Sequence, residues 1–162
     1  MQNKKVVLFS IIGLVLVFIG AFYAYNKSEE AKYEAIAKEK AVVYERPYSL
    51  SVGPADAKVT LVEFFDPACG TCAQFHPIVK DLMKEHKGNL RVVYRYAPFH
   101  QNSSYAVKML EGARAQDKFE ETLSYMYKTR QYWLNGHTVN VQMLWRMLAR
   151  TKLDMQALST YI

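Results

Sequence analysis

Cys69 and Cys72 are the only cysteines in this chain, and Gly70 and Thr71 stand between them. Two thiols at that spacing can form a structural disulfide, bind a metal or carry electrons. A disulfide across two residues closes too small a loop to add much through chain entropy. It would also be a poor use of the only cysteine pair in a domain able to bury a core. A zinc site normally takes four ligands, and no second pair exists. His76 could join the cysteines on copper or zinc. A redox pair accounts best for two thiols held one helical turn apart, one attacking and the other resolving.

The flanking sequence supplies the elements that position them. Residues 58–66, KVTLVEFFD, form a β-branched and aromatic run broken only by Glu63, which reads as a buried strand covered on both faces. After PACGTC comes AQFHPIVKDLMKEH, where Phe75, Val79, Leu82 and Met83 share a helical face. Gly88 and Asn89 stop it, and LRVVYRYAPF reads as a further strand. Upstream, YSLSVG reads as a first strand and GPAD as a turn. The cysteines therefore lie where a strand ends and a helix begins. Open amide N–H groups and the helix dipole favour negative charge there, so Cys69 in the first turn ionises more readily than a free thiol. Cys72, one turn on, faces the same way and is shielded.

Two neighbours carry open alternatives. Glu63, if buried, has a raised pKa and can exchange protons near neutral pH; on an exposed face it is an ordinary surface charge. His76 lies four residues past Cys72 and shares its face, so a charged imidazole there would stabilise the thiolate; otherwise it is a surface histidine.

The remaining sequence sets compartment and architecture. Val6–Tyr25 carries no charge and is long enough to cross the ~30 Å core of a bilayer. Lys4 and Lys5 precede it and belong on the cytoplasmic side. No small-x-small pair ends the run cleanly, which favours an uncleaved anchor over a signal peptide. The following 26–47 stretch is rich in Ala, Glu and Lys, with Ser28 resembling a helix start and Pro47 ending the pattern. It reads as a helical stalk or linker. The formal net charge is +6, with no Lys/Arg-rich run to suggest nucleic acid; anionic lipid headgroups are the better match. From Asn102 onward three apolar stripes at helical spacing read as core packing, and Asp154 reads as the N-cap of a further helix.

The segment VEFFDPACGTCAQFHPIVKDL resembles the active site of thioredoxin-fold oxidoreductases, and GPADAKVTLVEFFD is similar to the lead-in of the DsbA-like branch. The resemblance runs from about Ser49 to Phe99 and continues more loosely into the helical stretch. It implies an α/β, thioredoxin-like fold with a helical insertion and an N-terminal transmembrane helix. It further implies catalytic roles: Cys69 as exposed nucleophile, Cys72 as buried partner and Glu63 as the acid beneath them. Gly70, Thr71, His76 and Pro77 would tune the pair, Pro77 by kinking the helix. The strongest oxidants carry His at the second middle position, so Thr71 implies a less oxidising potential. No dissociable cofactor and no metal are implied.

In such proteins the fold resumes after the insertion with a cis-proline loop, a hairpin and a helix. The last proline here is Pro98, so the C-terminal half of the fold is expected to be missing, through truncation, completion by a partner, or closure in another way. The expected organisation is a cytoplasmic N-terminus (1–5), an anchor (6–25), a stalk or linker (26–47), the N-terminal part of the thioredoxin-like domain (48–101) and a helical insertion in which the chain ends (102–162). The expected function is disulfide donation to exported proteins with cysteines, at the cytoplasmic membrane, with the domain facing the periplasm or cell exterior. The pair would be recycled by a membrane redox partner, a quinone-linked oxidase for a disulfide donor or a thiol-transferring reductase for an acceptor. The rivals are a reductase or isomerase, a non-catalytic binding module or truncated remnant, and a metal carrier.

Overall fold

Residues 2–162 of a computed structural model are described; Met1, in the segment expected to be cytoplasmic, lies outside them, as do the side chains of residues 2 and 40–42. The chain divides into two units, one ending at Arg46 and one running from Pro47 to Ile162. The first is a single helix, α1 (Gln2–Tyr44), about 65 Å long at the usual rise. Its stretch Asn3–Glu39 is long and apolar enough to cross a membrane, and none of it is buried in protein. The helix start expected at Ser28 is not there. Ser28 lies inside α1, where its Oγ donates to the Tyr25 carbonyl at 2.8 Å. That local bond satisfies the hydroxyl without ending the helix, and the flanking helix formers carry the backbone through. The pattern does stop three residues before Pro47, as proline sterics require.

The second unit is built on a three-stranded sheet. Its strands are β1 (Leu50–Val52), β2 (Val59–Phe65) and β3 (Leu90–Tyr96), in the order β1-β3-β2. β2 runs parallel to β3, with Glu63 opposite Tyr94, and β1 is antiparallel to β3. The helix α2 (Gly70–Glu85) connects β2 to β3, which completes the expected βαβ unit. One expectation needs correcting: β3, not β2, is the central strand. Phe64 of β2 is therefore 52% exposed, while Val92, Val93 and Tyr94 of β3 are buried.

The helical part consists of α3 (Ser103–Arg114), α4 (Phe119–Trp133), a two-stranded ribbon β4 (Leu134–Asn135) and β5 (Thr138–Val139), then α5 (Val141–Leu148) and α6 (Met155–Ser159). The apolar stripes read from sequence are the packed faces. Met109 and Leu110, Leu123 and Met126, and Leu144 and Leu148 are buried in one core with Phe65 and Val92 of the sheet. Asn140 and Asp154 cap α5 and α6: Asn140 accepts from the Met143 amide at 3.0 Å, and Asp154 from Gln156 and Ala157 at 2.9 and 3.1 Å. These bonds occupy donors that a helix start leaves open. Gly112 of α3 allows α6 to dock, because a Cβ there would lie 2.6 Å from Leu158 Cδ1. Gly112→Val is expected to destabilise the domain by about 1–3 kcal/mol through overpacking. Urea unfolding of the detergent-solubilised chain measures it, and an unchanged midpoint would contradict the close packing of α6 on α3.

Candidate functional site

Cys69 is the N-cap of α2, with φ −76° and ψ 126°. It stands one residue before the first turn expected from sequence, and its Sγ accepts from the Cys72 amide at 3.4 Å. A sulfur in that place takes the role of a capping oxygen. Both cysteines are half-buried free thiols. Burial pushes the Cys72 thiol up to about 11; a hydrogen bond with the Asp66 backbone opposes this, while the neighbouring Cys69 and Glu63 add to it. Cys72 thus needs a base before it can act as a nucleophile.

Glu63 lies on the helix-covered face of β2, beside Leu61 and Phe65 of the core. Its Oε2 is buried and has no hydrogen-bond partner within the protein. Burial raises its pKa; His76 opposes the shift and Glu120 of α4 adds to it. The geometry thus corresponds to the buried alternative. His76 is 4% exposed, so it is not a surface histidine. It turns toward α4, where Nε2 lies 3.0 Å from Ser124 Oγ and 3.1 Å from Glu120 Oε1. Among the described residues no group of three His, Cys, Asp or Glu could hold a metal ion. Pro77 stands inside α2, where its missing N–H leaves one helical bond unmade. Thr71 is exposed and Gly70 half-buried.

Two features of the site were not read from sequence. The first is Arg130 of α4. Its Nε donates to the Ala68 carbonyl at 2.6 Å, and its guanidinium lies 3.3 Å from where a Cβ on Gly70 would stand. A cation thereby covers the loop between the cysteines, and Gly70 is the residue that permits the approach.

The second is Asp66, 0% exposed, just upstream of Cys69. Its Oδ1 accepts from the Ala68 amide at 2.8 Å and from Ser103 Oγ. Its Oδ2 accepts from the amides of Phe99 and His100 at 2.9 and 3.0 Å and from His100 Nδ1 at 2.9 Å. A carboxylate can only accept, so Nδ1 carries the proton. His100 in turn stacks on His137, with ring centroids 5.4 Å apart. Burial alone would raise the Asp66 pKa, but the bonds from Ser103, Ala68 and His100 outweigh it and hold the carboxyl below its ordinary value.

This folded-state pKa lies below the unfolded one, so the contribution of Asp66 to stability is complete above the unfolded value and is lost as pH falls through the folded value. Asp66→Ala is expected to cost about 3–5 kcal/mol at neutral pH, since it strands a set of buried donors. It should also flatten the loss of stability on acidification below about pH 4. Denaturant midpoints measured from pH 7 to pH 2 check both; a variant as acid-sensitive as the parent would contradict this role.

Comparison with known proteins agrees with this architecture. A thioredoxin family model matches residues 45–160. The structure of alpha-DsbA1 from Wolbachia pipientis superposes with a TM-score of 0.63 at 16% identity, covering 75% of this chain and 62% of that one. A thioredoxin-like oxidoreductase from Silicibacter pomeroyi DSS-3 gives 0.59 at 26% identity, covering 73% and 65%. Oxidised BdbD from Bacillus subtilis gives 0.56 at 21%, covering 69% and 64%. The chain spans less than two thirds of the length of each. The Na(+)/H(+) antiporter NhaA of Herminiimonas arsenicoxydans is 37% identical over 82 residues, which is 51% of this chain but only 13% of the antiporter.

Proposed function

Because the chain belongs to the thioredoxin family, we propose that it performs thiol–disulfide exchange through Cys69 and Cys72, donating disulfides to exported proteins from the outer side of the cytoplasmic membrane. The observation that carries this reading is the contrast between the two thiols. Cys69 caps a helix N-terminus, while Cys72 sits behind it with its thiol raised to about 11 and the buried Glu63 nearby.

In the oxidised protein a substrate thiolate attacks Cys69 Sγ. The Cys69–Cys72 bond breaks, its electron pair leaves on Cys72, and Glu63 supplies the proton that neutralises the buried thiolate. A second substrate thiolate attacks the mixed disulfide, and Cys69 leaves as a thiolate stabilised by the helix N-terminus. The substrate dithiol loses two electrons and the protein disulfide gains them. A quinone-linked membrane oxidase takes those two electrons and returns the pair to the disulfide, so no dissociable cofactor is needed; a thiol-transferring reductase would serve the opposite, electron-accepting direction.

The long apolar span of α1 supports tethering, and Lys4 and Lys5 support a cytoplasmic N-terminus. Phe64, Phe75 and Phe99 are exposed around the strand ends and the first helical turns that carry the pair, and they would hold unfolded segments without selecting a sequence. Phe99 is tied to the site itself through the bond from its amide to Asp66.

Cys72→Ser is expected to accumulate covalent adducts between Cys69 and cysteine-bearing exported proteins. Non-reducing gels of acid-quenched cells show them, reductant removes them, and Cys69→Ser abolishes them. Adducts that persist in Cys69→Ser, or none in a Cys72→Ser chain that is present and folded, would contradict the proposal.

A further inference from the structure

Three buried polar atoms around the cysteine pair have no hydrogen-bond partner within the protein: Glu63 Oε2 of β2, His76 Nδ1 of α2 and Tyr127 Oη of α4. Buried polar groups are normally paired, so three such atoms on three packed elements call for a common explanation. The rings of His76 and Tyr127 are 5.3 Å apart. Glu63 is coupled electrostatically to His76 and Glu120, and Tyr127 to Cys72, Glu63, Cys69 and Asp66. Tyr94 of β3, opposite Glu63, feels Glu120 and Glu63.

On its other side His76 is fully engaged. Its Nε2 faces Glu120 Oε1 and Ser124 Oγ, and Lys80 Nζ holds the same Glu120 oxygen at 2.8 Å. A ring whose Nε2 donates to a carboxylate keeps a bare lone pair on Nδ1. That lone pair is buried, while Glu120 at the far end is 45% exposed.

We propose that His76 and Glu120 form the outlet of a proton path that begins at Cys72 and passes through Glu63. The inference rests on the exchange reading above. When the dithiol is reoxidised, Cys72 must lose a proton as its sulfur attacks the mixed disulfide on Cys69. Glu63 takes that proton. It then passes to His76 Nδ1, directly or across one water held by Glu63, Tyr127 and His76. The imidazole releases the proton on its Nε2 to Glu120, which meets solvent. The reverse order returns a proton to Cys72 when the disulfide is reduced. Lys80 keeps Glu120 charged, and so ready to accept, at neutral pH. His76 and Glu120 touch neither thiol; they position and drain the proton that Glu63 carries.

The test uses the full reduced chain in detergent with Ellman's reagent and stopped-flow detection of the released thiolate. The first equivalent reports attack by Cys69. The second reports attack by Cys72 on the Cys69 mixed disulfide, with its proton lost. In His76→Gln and Glu120→Gln the ratio of second-phase to first-phase rate at pH 7 is expected to fall at least about tenfold, the lower reach of acid–base catalysis. The second phase should also rise more steeply with pH than in the parent, because hydroxide then replaces the path. If His76→Gln does not fold, Glu120→Gln carries the test, since its carboxylate is half exposed. A ratio and pH slope equal to the parent's in the folded variants overturn the path and leave the exchange reading standing. A parent chain that releases no second equivalent overturns both.

Discussion

The site depends on one buried carboxylate. Asp66 ends the β2 strand side of the active-site loop, and its five hydrogen bonds reach the loop itself, the segment after β3 and the first turn of α3. A charge in a fully enclosed place is tolerated only when its oxygens are filled with donors. Four of the five bonds come from the loop and from the segment after β3, and the fifth, from Ser103, joins the start of α3 to them. Cys69 and the first residue of its helix, Gly70, stand three and four residues beyond Asp66, so the position of the outer thiol is inherited from the clamp. Arg130 secures the same loop from α4 by holding the Ala68 carbonyl.

Around that fixed loop the two cysteines acquire different chemistry from a single backbone. Cys69 caps α2, where its sulfur accepts from the Cys72 amide. Cys72 is one turn deeper and pays the desolvation cost, which keeps it a thiol at neutral pH. The deeper thiol is therefore the one that stays protonated. On the proposed exchange reading, an acid that services the deeper thiol has to be buried too. Glu63 meets this need from the β2 face that α2 and α4 cover, and its polar neighbours His76, Glu120 and Tyr127 come from those two helices. The helical part is therefore more than a lid on the sheet, because its α4 brings Glu120, Tyr127 and Arg130 to the surroundings of the pair.

Much of this was legible from the sequence, because it is written in local patterns. The β2–α2–β3 unit follows from short-range periodicity and from Gly88 and Asn89. The cap at Asp154 follows from side-chain chemistry within three residues, and the similar cap at Asn140 went unread although it has the same local basis. Glu63 could be singled out as the lone charge in an apolar run. The features that escaped are contacts across long separations: Asp66 with His100 and Ser103, Arg130 with Ala68 and Gly70, and His76 with Glu120 and Ser124. Nothing in a residue's own neighbourhood specifies such partners. A charge directly before the cysteine loop was the one local signal for Asp66, and a glycine between the cysteines was the one for Arg130. The central position of β3 likewise could not come from β2's own composition, since both runs are equally apolar and only pairing order separates centre from edge.

The central claim is that Cys69 and Cys72 act as one two-electron couple. Equilibrating the purified full chain in glutathione buffers of graded ratio, then trapping thiols with an alkylating agent and counting the labels by mass, tests it directly. The account predicts one transition between two labels and none, with a slope of about 30 mV per tenfold change expected for two electrons. Two labels at every ratio, or a stable glutathione adduct on one cysteine while the other stays free, would contradict it.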